Sequence, residues 1–414
     1  MIDACAFEPQ ALLTVDEALA KIKTALVPVQ ETEILPLKIA LGRILANAVH
    51  AQANIPPDRN SAMDGYAFSS GDIAFGSDFI LQCVGTSWAG KPFQGKLSSG
   101  ECIRIFTGAV VPDHLDSVVM QEQVQREGLS IRFPAQAKGK QNIRFAGEDM
   151  MQGDKVCSYP KTVTAADLGL LAAAGVTEIP VLRQLKITFF STGDELVEVG
   201  QGLQTGQIYD SNRYLLSGLL NDCRYAVTDG GIIADDPSQL KAVLLEAARH
   251  CDVIITTGGA SVGEADFVKD FFQACGQVEF WKIAMKPGKP LAFGKIGESY
   301  FFALPGNPLA VFATFQKFVL PTLEQLMGLP FRQTLRLTAT CSGVLKKSPG
   351  RQEFQCGILS LDATGELIVA SAGQQGSHLL STLHKANCHI VLPSESNGVQ
   401  SGEKVVVEPF GVFI

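Results

Sequence analysis

No stretch of this chain reaches the ~18 uninterrupted apolar residues that a membrane-spanning helix requires, so no membrane span is expected. Its start, MIDACAFEPQALLTV, has no basic segment leading into a long apolar run, so no secretory leader is expected either. Positive charge is scarce: 34 Lys and Arg stand against 42 Asp and Glu, a formal charge of -8. That balance excludes a broad phosphate-tracking surface for nucleic acid. It leaves open the capture of one small anion by a few local cations and backbone N–H groups. The ten cysteines are scattered singly, with no CxxC pair and no zinc-ligand spacing. They read as small buried residues in the reducing cytoplasm. GxGxxG and GxxxxGK[ST] are absent, which argues against the common dinucleotide and P-loop nucleotide sites. There is no GxSxG elbow, and the six histidines fit no metal or triad spacing.

What remains is a globular balance, 46% hydrophobic and 18% charged, in 414 residues, too long for one ordinary core. TVDEALAKIKTA (14–25) opens with Thr14 and has Glu17 three positions on, a capping box at a helix start. KIALGRILANAVH (38–50) reads as helix or helix-to-strand. From 51 to 145 the chain turns Gly-rich, with short apolar runs such as ECIRIFTG and LSIRFPA, the pattern of a β-rich module. AADLGLLAAAG (165–175) reads as a helix ending at Gly175. Between 183 and 328 strand-like runs (KITFFST, YAVTDGGII, DVIITT, VEFWKIAM, SYFFAL) alternate with amphipathic helical ones. That alternation predicts a doubly wound, mostly parallel sheet with helices on both faces. Residues 329–414 return to short β segments, a small barrel or sandwich.

In an open parallel sheet, ligands bind beyond the carboxyl ends of the strands. Five stretches follow predicted strands of the central segment. They are Gly193-Asp194-Glu195, Asp235-Asp236-Pro237, Gly258 to Asp266, Lys286 to Pro290, and Pro305-Gly306-Asn307-Pro308. The glycine-rich turn (Gly258, Gly259, Ser261, Gly263) offers free N–H groups to a phosphate or similar oxyanion. Lys286 and Lys289 add positive charge on a proline-stiffened loop. Glu195, Asp235 and Asp266 supply three carboxylates from three strand ends, a donor set that suits Mg²⁺. For Asp235 and Asp236 a helix N-cap is the competing reading. Solvated turn residues are the competing reading for the lysines.

Ten motifs, in order, resemble the molybdopterin molybdenumtransferase family, which includes a domain of gephyrin. They are NSAMDGYA (60–67), IFTGAVVP (105–112), FSTGDEL (190–196), GQIYDSN (206–212) and ADDP (234–237), then TGGASVGEADF (257–267), KPGKPLAFG (286–294), LPGNP (304–308), GRQEFQCG (350–357) and GQQGSH (373–378). The resemblance covers nearly the whole chain. It departs at Phe145, where many family members carry a second Arg, and at the PPDR preceding NSAMD.

The resemblance implies an α/β multidomain architecture. Residues 1–50 would hold the N-terminal helix and the first part of a linking domain, and 51–145 the inserted β-rich module. Residues 146–182 would be the second part of the linker, 183–328 the central domain, and 329–414 a small β-barrel. It implies a cytoplasmic homodimer, with NSAMDGYA reaching a partner subunit. The implied reaction uses adenylyl-molybdopterin and molybdate, with Mg²⁺ on Glu195, Asp235 and Asp266. The glycine turn would receive the pterin or its phosphate, and the Pro305 to Pro308 loop would also touch substrate. Lys286, Lys289, Arg351 and Ser377 would face molybdate, with Asp64, Thr107 and Asp149 contributed by the module and linker. An upstream pterin-adenylating enzyme is an implied partner. Two other readings stay open at this point: an adenylating enzyme on the same central fold, and a non-catalytic scaffold.

Overall fold

The computed structural model describes residues 12–258, 276–331 and 334–411, which fall into two compact units, 32–181 and 1–31 with 182–414. In the larger unit, helix α1 (Val15–Ala25) starts at Thr14, whose Oγ1 accepts from the Glu17 amide while Glu17 returns a bond to the Thr14 amide. Such reciprocal caps contribute about 1 kcal/mol. Val15, Ala18 and Ile22 form its buried stripe.

The smaller unit contains residues 51–145, the stretch expected to form a β-rich module. Strands β1 (Gly65–Phe68), β2 (Phe79–Ser87), β3 (Glu101–Ile105), β4 (Ser117–Met120), β5 (Gln125–Glu127) and β6 (Ser130–Phe133) form one sheet in the order β4-β1-β3-β2-β6-β5. Its apolar face buries Phe68, Phe79 and Phe133 together. Helix α2 (Ala165–Ala173) ends before Gly175, which takes φ +80°, as its sequence predicts. The 38–50 segment, expected as helix or helix-to-strand, forms no α-helix and keeps only the strand at its end. It holds a single 3-10 turn (Leu37–Ile39), a Gly42 at φ +78°, isolated bridges from Ile44 to Thr162 and Leu45 to Val181, and a short strand at Val49–His50. Arg43 through Ala46 are buried one after another, which one face of a helix cannot do.

The central sheet of the larger unit has strands β7 (Leu185–Thr192), β8 (Tyr225–Ile233), β9 (Val253–Thr257), β10 (Gly276–Lys282), β12 (Pro290–Ile296) and β13 (Ser299–Leu304), ordered β8-β7-β9-β13-β12-β10. A two-residue strand β11 (Met285–Lys286) intervenes in the chain. Strands β8, β7, β9 and β13 pair in parallel; β12 is antiparallel to both β13 and β10, so β10 again runs with the majority. Five carboxyl ends therefore reach one edge. Strands β9 and β13 are buried along their whole length, as expected of parallel strands covered on both faces. Helices α3 (Ser211–Leu219) and α4 (Pro237–Ala247) follow β7 and β8.

Beyond β13, helix α5 (Pro308–Thr314) runs through a π-helical stretch (Phe315–Val319) into α6 (Leu320–Leu326). The irregularity accompanies Pro321, which has no N–H to give the helical ladder and crowds the carbonyl four residues before it. The predicted helix 308–326 is thus one rod with a wide turn in it.

At the C-terminus, β14 (Leu337–Cys341), β15 (Gln352–Leu361), β16 (Leu367–Ser371), β17 (Cys388–Leu392) and β18 (Lys404–Pro409) close on themselves, because β15 pairs with both β16 and β17. Of the barrel and sandwich alternatives, the molecule adopts the barrel. Six of the eight cysteines among the described residues are buried, matching their reading as small core residues; Cys223 is exposed and Cys251 half-buried. No helix among the described residues is long and apolar enough to cross a membrane.

Candidate active site

The carboxyl edge of the central sheet is built by close backbone approach. Gly258, just past β9, has φ +90°, and a Cβ there would lie 2.4 Å from the Thr192 carbonyl oxygen at the end of β7. Its amide donates to the Leu304 carbonyl at 3.2 Å, joining β9 to the end of β13. A Cβ on Gly306 would stand 3.9 Å from the Gly258 Cα, and Asn212 Nδ2 donates to the Gly306 carbonyl at 2.7 Å. Three predicted stretches, those after β7, β9 and β13, thus meet. Gly258→Ala combines a left-handed backbone with overlap onto main chain, and should cost about 2 kcal/mol. Gly306→Ala, with only ordinary contact ahead of it, serves as the control in the same thermal melts. Equal melting of both variants and the unmodified chain would contradict the close-approach account.

Glu195 and Asp235 stand exposed at the ends of β7 and β8. The Glu195 carboxylate folds over Gly193, where an added Cβ would meet Oε2 at 2.5 Å, so this glycine leaves the carboxylate its place. Asp194 accepts from the Asp235 amide at 3.0 Å, tying the two strand ends together. Asp236, not Asp235, is the N-cap of α4: its Oδ1 accepts from the Gln239 amide at 2.8 Å and from Ser238 Oγ. The Ser238 hydroxyl and the Gln239 amide hold the Asp236 carboxyl below its ordinary range. The capping reading therefore falls to Asp236 and not to Asp235. Asp266 lies outside the described residues, as do Gly259, Ser261 and Gly263. Among the described residues no three His, Cys, Asp or Glu side chains form a metal-type group.

The cationic half forms where the central domain meets the barrel inside the same unit. Strand β11 pairs in parallel with the start of β15, placing Met285 opposite Gln352 and Lys286 opposite Glu353. Lys286 Nζ reaches Glu353 Oε1 at 3.1 Å, while Gln355 Nε2 donates to Glu353 Oε2 at 2.9 Å. Lys286 is therefore held in position by a buried carboxylate rather than left to wander. Arg351 precedes this pairing directly, and Lys289 is exposed on the same loop. Gly288 in that loop lies against α5, with Thr314 Cγ2 only 2.6 Å from where a Cβ would be. Ser377 is half-buried, and its carbonyl accepts from the Leu309 amide at 3.0 Å, fixing the GQQGSH segment beside Pro308 at the start of α5. Pro305 is buried and Pro308 half-buried.

In the smaller unit, Asp64 Oδ1 accepts from the Thr107 amide at 2.7 Å and from its hydroxyl at 2.8 Å. Those two bonds lower the Asp64 carboxyl below its usual range. Asp149 is exposed, its amide bonded to the Ile55 carbonyl at 2.9 Å.

Three further residues lie inside the quoted motifs but are not singled out there. Asp210 and Asn212 are almost wholly buried, with Asp210 Oδ2 and Asn212 Oδ1 lacking any partner among the described residues. Asp210 also caps α3 through Oδ1, which accepts from the Arg213 amide at 3.1 Å. Buried acceptors left unpaired cost about 1–3 kcal/mol each, so they are available to a ligand. The Asp-Ser-Asn run signals only a helix cap, and nothing local marks an unsatisfied oxygen. Glu353 is the third, legible only once β11 and β15 are seen to pair.

Family models match three successive parts of the chain: the "MoeA N-terminal region (domain I and II)" over 13–175, the "Probable molybdopterin binding domain" over 188–325, and the "MoeA C-terminal region (domain IV)" over 338–410. The chain is 43% identical over 401 residues to a molybdopterin molybdenumtransferase of Haemophilus influenzae, covering 96% of this chain and 99% of that one. It is 32% identical to a gephyrin of Dictyostelium discoideum, covering 91% of this chain and 59% of that one. The crystal structure of a molybdopterin biosynthesis MoeA protein from Pyrococcus horikoshii superposes with a TM-score of 0.82 at 28% identity, over 97% of this chain and 100% of that one. The chain belongs to the molybdopterin molybdenumtransferase family and is a transferase.

Proposed function

We propose that this protein acts in molybdenum cofactor biosynthesis, inserting molybdenum from molybdate into adenylyl-molybdopterin with release of AMP. The observation that carries the reading is the 43% identity to a molybdopterin molybdenumtransferase over nearly the full length of both chains. The site chemistry supports it. Lys286, Lys289, Arg351 and Ser377 supply charge and donors for an oxyanion, and the Glu353 carboxylate keeps Lys286 aimed. The glycine-rich turn is the proposed receiver of the pterin or its phosphate, through residues after Gly258, whose own amide is taken by the Leu304 carbonyl. The Pro305 to Pro308 loop, which meets Gly258 at Gly306, is proposed to touch substrate as well.

The donor chemistry fits Mg²⁺ as the resident cation. Glu195 and Asp235 are exposed carboxylates on neighbouring strand ends, and Asp210 Oδ2, without a partner among the described residues, follows a short strand whose Ile208 amide bonds the Glu195 carbonyl. Glu195, Asp235 and Asp266 are the proposed ligands. When bound there, Mg²⁺ neutralises charge on the phosphoanhydride between pterin phosphate and AMP. Asp64, Thr107 and Asp149 are the proposed contributions of the module and linker. The proposed working form is a cytoplasmic homodimer, receiving its pterin from an upstream adenylating enzyme.

Reconstitution tests this reading. The purified chain, given adenylyl-molybdopterin, molybdate and Mg²⁺, should restore activity to a molybdoenzyme stripped of its cofactor. Failure to restore it, with the pterin nonetheless bound, would leave a carrier.

A further inference from the structure

At one end of the module sheet three strands deliver residues to a single row. Gly65 and Ser87 both lie opposite Ile105 in the register, so one step further Asp64, Phe106 and Trp88 align across β1, β3 and β2. The Trp88 and Phe106 rings stack in parallel, centroids 4.1 Å apart and planes 11° from coplanar. Trp88 remains 50% exposed. A tight turn fixes its backbone: Trp88 and Lys91 exchange main-chain bonds at 3.0 and 2.9 Å, with Gly90 at φ +77°. Arg104, two residues before Phe106 on the same face, sets its guanidinium 5.1 Å from the Phe106 ring and 5.0 Å from the buried Tyr66 ring. Asp64 spends Oδ1 on Thr107 and leaves Oδ2 without a bond among the described residues.

A half-open indole backed by a second ring and a cation is a preorganised surface for a planar, electron-rich ring. A carboxylate oxygen in the same row accepts from N–H groups on that ring's edge. An aminopyrimidinone edge presents adjacent N–H and NH₂ donors that match a carboxylate, whereas adenine offers a single amino group. We infer that Trp88 and Phe106 form a stacking platform for the pterin ring of the substrate, with Asp64 Oδ2 reading its aminopyrimidinone edge. This rests on the function proposed above and adds a positioning surface to it.

The test separates the two claims. Trp88 and Trp281 are the only tryptophans, and Trp281 is buried against Phe293. In a Trp281→Phe background, pterin-6-carboxylate should quench Trp88 emission and AMP should not. In turnover with adenylyl-molybdopterin, Trp88→Ala should raise KM about 10-fold with kcat within about 2-fold, as loss of one stacking contact implies. Trp88→Phe should restore KM. An unchanged KM in Trp88→Ala, alongside normal wild-type turnover, overturns the platform and leaves the function standing. Quenching by AMP alone overturns the pterin assignment. A dimer that dissociates on Trp88→Ala, without change in KM, shows a subunit contact and overturns it too. If the wild type shows no turnover, the function falls, and the emission titration still decides the platform.

Discussion

Glu195→Ala is expected to lower molybdenum insertion at least about 100-fold, the scale of removing one charge-stabilising group from a transition state. The fold should not notice. Glu195 is exposed, and its structural contribution is main-chain: its carbonyl accepts from the Ile208 amide at 2.8 Å. That bond survives the substitution. Circular dichroism and melting should therefore match the unmodified chain while product formation collapses. Wild-type turnover in this variant would remove Glu195 from the site and leave its placement over Gly193 without a chemical purpose.

The largest stability effect is expected from Lys317→Met. Lys317 sits in the π-helical stretch, 6% exposed, with its ammonium on Glu408 of the barrel, itself 2% exposed. Burial pushes the Lys317 ammonium below its usual range, opposed by the attraction of Glu408. The Phe354 ring lies 4.5 Å from Nζ, and Arg336 holds the other Glu408 oxygen at 3.1 Å. Burial pushes His389, the cross-strand neighbour of Glu408, down to about 3, so it stays neutral and gives no substitute charge. Removing the lysine leaves a buried carboxylate with one partner, and breaking such pairs costs about 3–5 kcal/mol. Lys317→Met with Glu408→Gln should recover much of the loss, since the uncompensated charge goes with it. Thermal unfolding of the single and double variants measures this. Equal destabilisation of both would mean that packing, not charge, is what the pair supplies.

Local signals were legible in the sequence where they govern local structure. Thr14 with Glu17 marked the first helix, Gly175 ended α2, and Pro237 opened α4, each by chemistry within a few residues. The five strand ends singled out in the sequence do share one edge of the central sheet, even though β12 runs against the rest, because β10 turns back with the majority. KIALGRILANAVH has apolar spacing that suits a helix, yet only the strand half of its helix-to-strand reading is present. Long-range bridges from Ile44 and Leu45, with a left-handed Gly42 between flanking turns, outweigh that local preference. The same limit hid Glu353, which meets Lys286 from 67 positions away, and the Trp88–Phe106 stack, which exists only in the register of β2 against β3. Asp210 was inside a quoted motif, yet that its Oδ2 has no partner among the described residues is a property of burial, without a sequence signature.

AMP release from adenylyl-molybdopterin is the decisive measurement for the proposed chemistry. At fixed Mg²⁺, release should depend on molybdate and be coupled to formation of active cofactor. Tight pterin binding with no AMP release, with or without molybdate, would rule out the transferase reaction.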